Sequence, residues 1–361
     1  MEARNEFVPF SISHPGEILG EELKERGIKQ KDFARQIGMQ PTHLNSLIRG
    51  KMDVSEKIAA RLELALGIPF ADWMNLQANY HYYSRVIKER DEEEYLALQK
   101  EKDYADWLNL KCIYDYLGIR HQDARSRIRQ LEQNECLSGA FEYDLGYYRK
   151  SNKCQVDERN MRTWLFMVNN EACKTSLENE YVVGNAALAA REIATCANEQ
   201  ILTVAKIKDI LNRNGIVYLH VPKLIKTPVD AYSMRRNGRY VIAATYRYND
   251  MDKLAFDIIH ELGHVALHIK NDNDAFIRMD EAILDAKEKE ADKFASEMLI
   301  PSSVWKSMMA TGANSLNPYC IVEQLVASAK IHHISPTMAV ARYKKESNLY
   351  NFPKYRSAKI S

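Results

Sequence analysis

No two cysteines of this 361-residue chain stand at Cys-x-x-Cys spacing, and the six present (Cys112, Cys136, Cys154, Cys173, Cys196 and Cys320) are scattered. That argues against a disulfide framework and leaves reduced core or surface thiols, as in a cytosolic protein. Apolar runs long enough to span a bilayer are missing, and no signal peptide opens the sequence. The expectation is a soluble, cytoplasmic protein with no membrane partner. Neither sign of charge is in surplus: 50 lysines and arginines against 49 acids leave a net charge of +1. The molecule as a whole therefore has no bias toward nucleic acid, membrane or acidic partners. Internal repeats and low-complexity segments are also absent, and the length suits two or three domains, each able to bury a core.

What the chain does have is Asp257-Ile258-Ile259-His260-Glu261-Leu262-Gly263-His264, followed by a second acidic run, Glu288-Lys289-Glu290-Ala291-Asp292. On a helix, His260 and His264 are four residues apart on one face, so two imidazoles can close on one zinc ion (Zn2+). Glu261 beside them is placed to take a proton from water activated there. A downstream carboxylate would complete three protein ligands and leave the fourth position open, as in a catalytic rather than a structural site. The competing reading is a chance match on a buried helix with two ordinary histidines, and the flanks speak against it. Leu254, Ala255, Ile258, Ile259, Leu262, Val265 and Ala266 recur at helical spacing. Ala291, Phe294, Ala295, Met298 and Leu299 repeat the pattern on a second helix, which Pro301 ends. The pattern reads as a peptidase site.

Three residues compete for the third ligand position. His268 continues the four-residue spacing, but it would lie about 12 Å from His260 along a straight helix, too far to share one ion. It reads as a polar residue at the helix end. Glu288 and Glu290 point about 160° apart around their helix, so only one faces the metal. The apolar face lies closer to Glu288, which makes it the choice, with Glu290 as the fallback. Asp292, one turn beyond Glu288, is placed to orient His260 or His264 from behind. His332 and His333 near the carboxyl end are weaker candidates.

Residues 14–79 carry a separate pattern. His14-Pro15-Gly16-Glu17-Ile18-Leu19 opens a helix that runs to Arg26, where Gly27 stops it. Two short helices follow, over 29–37 and 41–49, across a glycine turn at Gly38, which is the helix-turn-helix arrangement. Leu44, Leu47 and Ile48 face inward. Gln40, Thr42, His43, Asn45 and Ser46 are left to read base edges, with Lys29, Lys31, Arg49 and Lys51 near phosphates, and Gln30 is a further DNA-binding candidate. Charge supports a plainer reading, a small helical bundle, because basic and acidic side chains are equal in number from His14 to Asn79 and a balanced domain has little nonspecific pull on DNA.

Between the two ends, residues 80–199 read as a helical middle. Lys88 to Glu94 is a mixed charge run, a solvated helix face or a domain boundary. Ile113, Tyr114, Tyr116 and Leu117, then Trp164, Leu165 and Met167, suggest packed helices. Tyr143, Tyr147 and Tyr148 cluster before Arg149 and Lys150, where helix packing outweighs a partner surface. From Ile201 a helix to Arg213 leads into a buried strand, Ile216 to Val221, closed by Pro222. Ala231 to Met234 and Tyr240 to Thr245 are strand-like around Asn237-Gly238, a two-residue hairpin signal. A small sheet followed by the two metal helices is the zincin plan, in which a sheet edge can take an extended peptide by strand addition. The fold class is thus mainly α with a small β-sheet (α+β). The domains expected are a five-helix helix-turn-helix domain at 1–79, the helical middle at 80–199 and a zincin-like domain at 200–361.

The two patterns resemble two known families. His260-Glu261-Leu262-Gly263-His264, Glu288-Lys289-Glu290-Ala291-Asp292-Lys293-Phe294-Ala295 and Met298-Leu299-Ile300-Pro301 together resemble the ImmA/IrrE metallopeptidases. The resemblance implies a glutamate on the second helix as third ligand, here Glu288, and action on a helix-turn-helix repressor. The run from His14 through Gly50, with Ala59-Ala60-Arg61-Leu62 and Ala71-Asp72-Trp73-Met74-Asn75-Leu76-Gln77, resembles the HigA-type antitoxin branch of the Xre regulators. That implies a homodimer on a palindromic double-stranded DNA operator, and often a neighbouring toxin to neutralise. Together they imply a DNA-binding regulator carrying a zinc endopeptidase whose protein substrate is a repressor, a toxin or the chain itself. The alternative is an antitoxin-like transcriptional repressor whose metal domain does not cut and serves sensing or structure.

Overall fold

The computed structural model describes residues 8–137, 156–272, 275–279, 286–310, 317–352 and 354–360. The tyrosines and basic residues noted at 143–150, and Cys154, lie outside them. The chain divides into two compact units, Met1–Glu101 with Asp123–Ile128, and Lys102–Gln122 with Arg129–Ser361. It is mainly helical with one four-stranded sheet among the described residues, the α+β class expected from the sequence. No described helix is long and apolar enough to cross a membrane, and the cysteines among the described residues are free.

The first unit opens with five helices, α1 (Pro15–Glu25), α2 (Gln30–Gln36), α3 (Pro41–Ile48), α4 (Glu56–Leu66) and α5 (Phe70–Ala105). His14 caps α1 by accepting the Gly16 N–H on Nδ1 at 2.9 Å, and Ser55 caps α4. Gly38, at φ +60°, makes the turn between α2 and α3. Leu19, Leu23, Phe33, Leu44, Leu47, Leu62 and Trp73 are all at most 1% exposed and form one core. The fifth helix does not end at Asn79. Neither proline nor glycine interrupts residues 70–105, so the helix continues through the charge run. That run is a solvated face that also caps a neighbour. Glu94 accepts the N–H groups of Ala124 and Arg125 at 2.8 and 3.0 Å, at the start of α7 (Ala124–Glu132), which follows α6 (Leu110–Leu117).

Helices α1 and α3 touch at Gly16, where an added Cβ would stand 1.7 Å from the Leu47 carbonyl oxygen. Backbone cannot yield there without separating the two helices. Gly16→Ala is therefore expected to destabilise this unit by about 3 kcal/mol, the upper range for overpacking. Hydrogen exchange of the α1 and α3 amides measures it; protection equal to wild type would refute the close contact.

In the second unit come α8 (Glu158–Lys174), α9 (Asn185–Asn198), α10 (Val204–Arg213), β1 (Ile216–His220), β2 (Val229–Arg236), β3 (Arg239–Ala244), α11 (Met251–Leu267) and β4 (Ala275–Met279). They are followed by α12 (Ala286–Leu299), α13 (Ser302–Ala310), α14 (Pro318–Ile331) and α15 (Pro336–Ser347). The sheet order is β1-β3-β2-β4; β1 runs parallel to β3, and the other pairs are antiparallel. Asn237 and Gly238 take φ of 51° and 75°, the two positive values that a tight hairpin turn matching the strand twist requires.

Strand alternation sorts side chains to two helical layers. Val217, Leu219, Tyr232, Met234, Val241 and Ala243 face α8, where Trp164 is fully buried and donates its indole N–H to the Val221 carbonyl at 3.1 Å. Ile216, Tyr218, Tyr240, Ile242 and Ala244 face the larger core built with α9, α10 and α11. Burial on both faces explains why these strands read as nearly continuous apolar runs. Helices α8 and α9, read from the sequence as part of the middle, pack into these two cores. The layer facing α11 positions the chemistry.

Candidate metal centre and candidate DNA-facing surface

Asp250 starts α11 by accepting the Lys253 N–H on Oδ1 at 2.9 Å. The helix is buried nearly all round, so its polar residues must find partners within the protein. Lys253 lies between Asp230 of β2, at 3.0 Å, and Asp257 one turn on, at 2.6 Å, fastening the start of α11 to the sheet. Burial raises the Asp230 carboxyl, while the charge of Lys253 opposes the rise.

One and two turns further, His260, Glu261 and His264 are 0% exposed. Their Nε2 atoms bring the two histidines to 3.0 Å from each other. Helix α12 brings Glu288 to the same point: Oε2 lies 3.1 Å from His260 Nε2, and Oε1 lies 3.2 Å from His264 Nε2. Small residues make this approach possible. A Cβ on Gly263 would stand 3.2 Å from both the Ala291 Cα and the Phe294 ring. Of the described histidines, cysteines and acids, these three form the group compact enough to hold one metal ion.

The electrostatics suit a cation. Burial, aided by the neighbouring His260 and His268 and opposed by Glu288, pushes the His264 imidazole down to about 4. At neutral pH it is uncharged and has a lone pair to give. Burial alone would raise the Glu288 carboxyl, but hydrogen bonds and charge from His260 and His264 outweigh it and hold the group at about 2. Two imidazole nitrogens and one ionised carboxylate converge.

Around this triangle stands a ring of supporting groups. Asp292 Oδ1 is 2.9 Å from His260 Nδ1, and its other oxygen is 3.2 Å from Lys345 Nζ on α15. His268, at the end of α11, lies outside the triangle, with its Nδ1 2.9 Å from His264 Nδ1. Glu290 also stays outside, its Oε2 2.9 Å from His268 Nε2. His332 and His333, at the end of α14, are not among the converging donors. Ser233, in the middle of β2, donates its hydroxyl to Glu261 Oε2 at 2.5 Å. Register explains that contact: Ser233 pairs with Ile242 and shares its face, the one turned to α11. Ser233 and Lys345 are neighbours of the candidate centre that the sequence pattern did not single out. A serine within Ala231-Tyr232-Ser233-Met234 was the available signal, since a polar group in a buried strand needs a partner.

In the first unit, Gln30, Gln40, Thr42, His43, Asn45, Arg49 and Lys51 are exposed and Ser46 is partly buried, its hydroxyl donating to the Thr42 carbonyl at 3.0 Å. Leu44 and Leu47 are buried beneath them and Ile48 partly so. The polar residues of α3 and its flanks thus lie on an outer surface, while its leucines hold the helix in place.

Residues 19–73 match the family described as helix-turn-helix, and residues 220–338 match the family described as the IrrE N-terminal-like domain. Virulence-associated protein I of Dichelobacter nodosus is 34% identical over 68 residues, 19% of this chain and 63% of that protein. The chain thus spans less than two thirds of that relative. The uncharacterized HTH-type transcriptional regulator YddM of Escherichia coli K12 is 32% identical over 63 residues, 18% of this chain and 67% of that one. Among solved structures, the Pseudomonas aeruginosa antitoxin HigA with the higBA promoter is 29% identical. That match covers 23% of this chain and 90% of the antitoxin, with a TM-score of 0.22.

Proposed function

The chain belongs to the helix-turn-helix regulators over residues 19–73 and to the IrrE N-terminal-like peptidase family over residues 220–338, and on that premise we propose that it is a DNA-binding regulator carrying a zinc-dependent endopeptidase that cleaves a regulatory protein. The observation that carries the reading is the meeting of two buried imidazole nitrogens and one carboxylate at 3.0–3.2 Å from one another. Donors held about 2.0–2.1 Å from a tetrahedral zinc ion stand roughly 3.3 Å apart, close to that spacing. The donor set is also the usual one for zinc with a position left open.

His260, His264 and Glu288 would hold the ion. A zinc ion bound there supplies Lewis acidity, which acidifies water and polarises a peptide carbonyl. Glu261, next in sequence to His260, accepts the proton of the attacking water and passes it to the leaving amine. Ser233 keeps the Glu261 carboxylate aimed by holding one oxygen. Asp292 would keep His260 turned so that Nε2 faces a bound ion.

The regulator half would act through Gln30, Gln40, Thr42, His43, Asn45 and Ser46 at base edges, with Arg49 and Lys51 at phosphates, as a homodimer on a palindromic operator. Asn45→Ala is expected to weaken binding to the specific operator by about 1–3 kcal/mol, at least several-fold in a retardation assay at fixed salt, without altering nonspecific binding. Equal loss on both DNAs would remove Asn45 from base reading. The peptidase half is tested by incubating the zinc-loaded chain with helix-turn-helix regulators and toxins of the same cell and sequencing new amino termini. A zinc-loaded chain that cuts none of them, nor itself, would overturn the endopeptidase reading.

A further inference from the structure

Two imidazoles serve one ion only if both Nε2 lone pairs are free together, and a neutral imidazole frees one nitrogen by keeping its proton on the other. For His260 the proton on Nδ1 has a carboxylate to receive it, Asp292 at 2.9 Å. His264 Nδ1 faces a second imidazole instead, His268 Nδ1 at 2.9 Å, a contact in which either ring can be the donor. Glu290 removes the ambiguity. An ionised carboxylate only accepts, and Glu290 Oε2 lies 2.9 Å from His268 Nε2. That fixes the His268 proton on Nε2 and leaves its Nδ1 as an acceptor. With an ion bound, and Glu288 on it rather than accepting from Nε2, His264 would donate from Nδ1 to His268 and turn its Nε2 lone pair to the ion.

We infer that His268 and Glu290 are a positioning pair that sets the tautomer and ring orientation of His264. The pair does for His264 what Asp292 does for His260, with an imidazole in place of the first carboxylate. The inference rests on the metal-site reading of His260, His264 and Glu288. Its geometry follows from spacing: His268 comes one turn after His264 at the end of α11, and Glu290 comes two residues after Glu288 in the first turn of α12. The His268 side chain is 5% exposed, so water does not compete freely for its bond to His264, whereas Glu290 is 63% exposed. His268 therefore carries the larger share, and Glu290 acts through it. The nitrogen of His268 nearest His264 meets Nδ1, the atom opposite the donor triangle, so His268 is not a further ligand.

The test is zinc affinity of the full chain, read by competition with a chromophoric chelator, with thermal stability followed alongside. His268→Ala is expected to weaken zinc binding by about 10–100-fold, the range for partners that orient a ligand. His268→Asn should recover most of the loss, because its side-chain carbonyl can accept the His264 Nδ1 proton. Glu290→Ala should cost several-fold, and adding it to His268→Ala should cost nothing more. His260→Ala is the control for the underlying reading. If His260→Ala loses zinc while His268→Ala stays within twofold of wild type, the positioning inference falls and the metal site stands. If His268→Asn is as weak as His268→Ala, the residue only fills space, and the inference falls again. If His260→Ala itself binds zinc like wild type, the metal-site reading falls first.

Discussion

Glu261→Gln is expected to retain one zinc ion per chain and to lose cleavage by at least about 10²–10⁴-fold, the usual contribution of a general base. The substitution is nearly isosteric, and its amide oxygen can still accept the Ser233 hydroxyl that now bonds Glu261 Oε2. Glu261 is 0% exposed, and an amide of nearly the same shape fills the same space. His260, His264 and Glu288 are untouched, so metal content should not change. Any loss of cleavage would then belong to proton transfer alone. The measurement pairs metal analysis with product accumulation from a helix-turn-helix regulator. A variant that cuts at the wild-type rate would remove Glu261 from the chemistry, and one that loses zinc would make it a structural acid.

The parts of this centre that were legible in the sequence are those fixed by helical periodicity. His260 and His264 share a face because four residues make about one turn, and the apolar positions of α11 and α12 marked the faces by which both helices pack. The choice of Glu288 over Glu290 followed from the face to which Ala291 and Ala295 belong, and Glu288 is the carboxylate that meets both imidazoles. Asp292, read as an orienting residue, stands beside His260. The hairpin at Asn237-Gly238 was visible because so few residues accept two positive φ values in succession.

What was not legible depends on contacts distant in sequence. Ser233 reaches Glu261 only because β2 takes one register against β3, and a slip of one residue would turn it to α8. Lys345 reaches Asp292 from a helix more than fifty residues on. His268 was read as a polar helix end because distance along α11 excludes it as a co-ligand of His260. That distance said nothing about whether it could touch the far nitrogen of His264. The reach of α5 past Asn79 was also missed. Its charge run resembles a boundary in composition, yet nothing in residues 80–105 breaks a helix, and Glu94 finds its partners in a segment thirty residues away.

Replacing Glu288 tests the centre where its cost should be largest. Glu288→Ala is expected to weaken zinc binding by more than about 100-fold, beyond the range of partners that merely orient a ligand, and to abolish cleavage with it. Charge matters here as well as the number of ligands. Glu288 is the carboxylate whose oxygens meet both Nε2 atoms, and without it two imidazole nitrogens 3.0 Å apart face each other with no carboxylate to balance a divalent ion. Its depressed carboxyl, at about 2, means that the negative charge is present throughout the neutral range in the wild type, so its titration should not change wild-type zinc binding there. Glu288→Gln separates the two contributions, since it keeps an oxygen donor and loses the charge; its affinity should fall between wild type and Glu288→Ala. Glu290→Ala, two residues away, should cost only several-fold, because that carboxylate reaches His268 and not the triangle. Equal losses at 288 and 290 would mean that the two glutamates share the ion. A larger loss at 290 would reverse the assignment and place the third ligand on the face of α12 that meets His268.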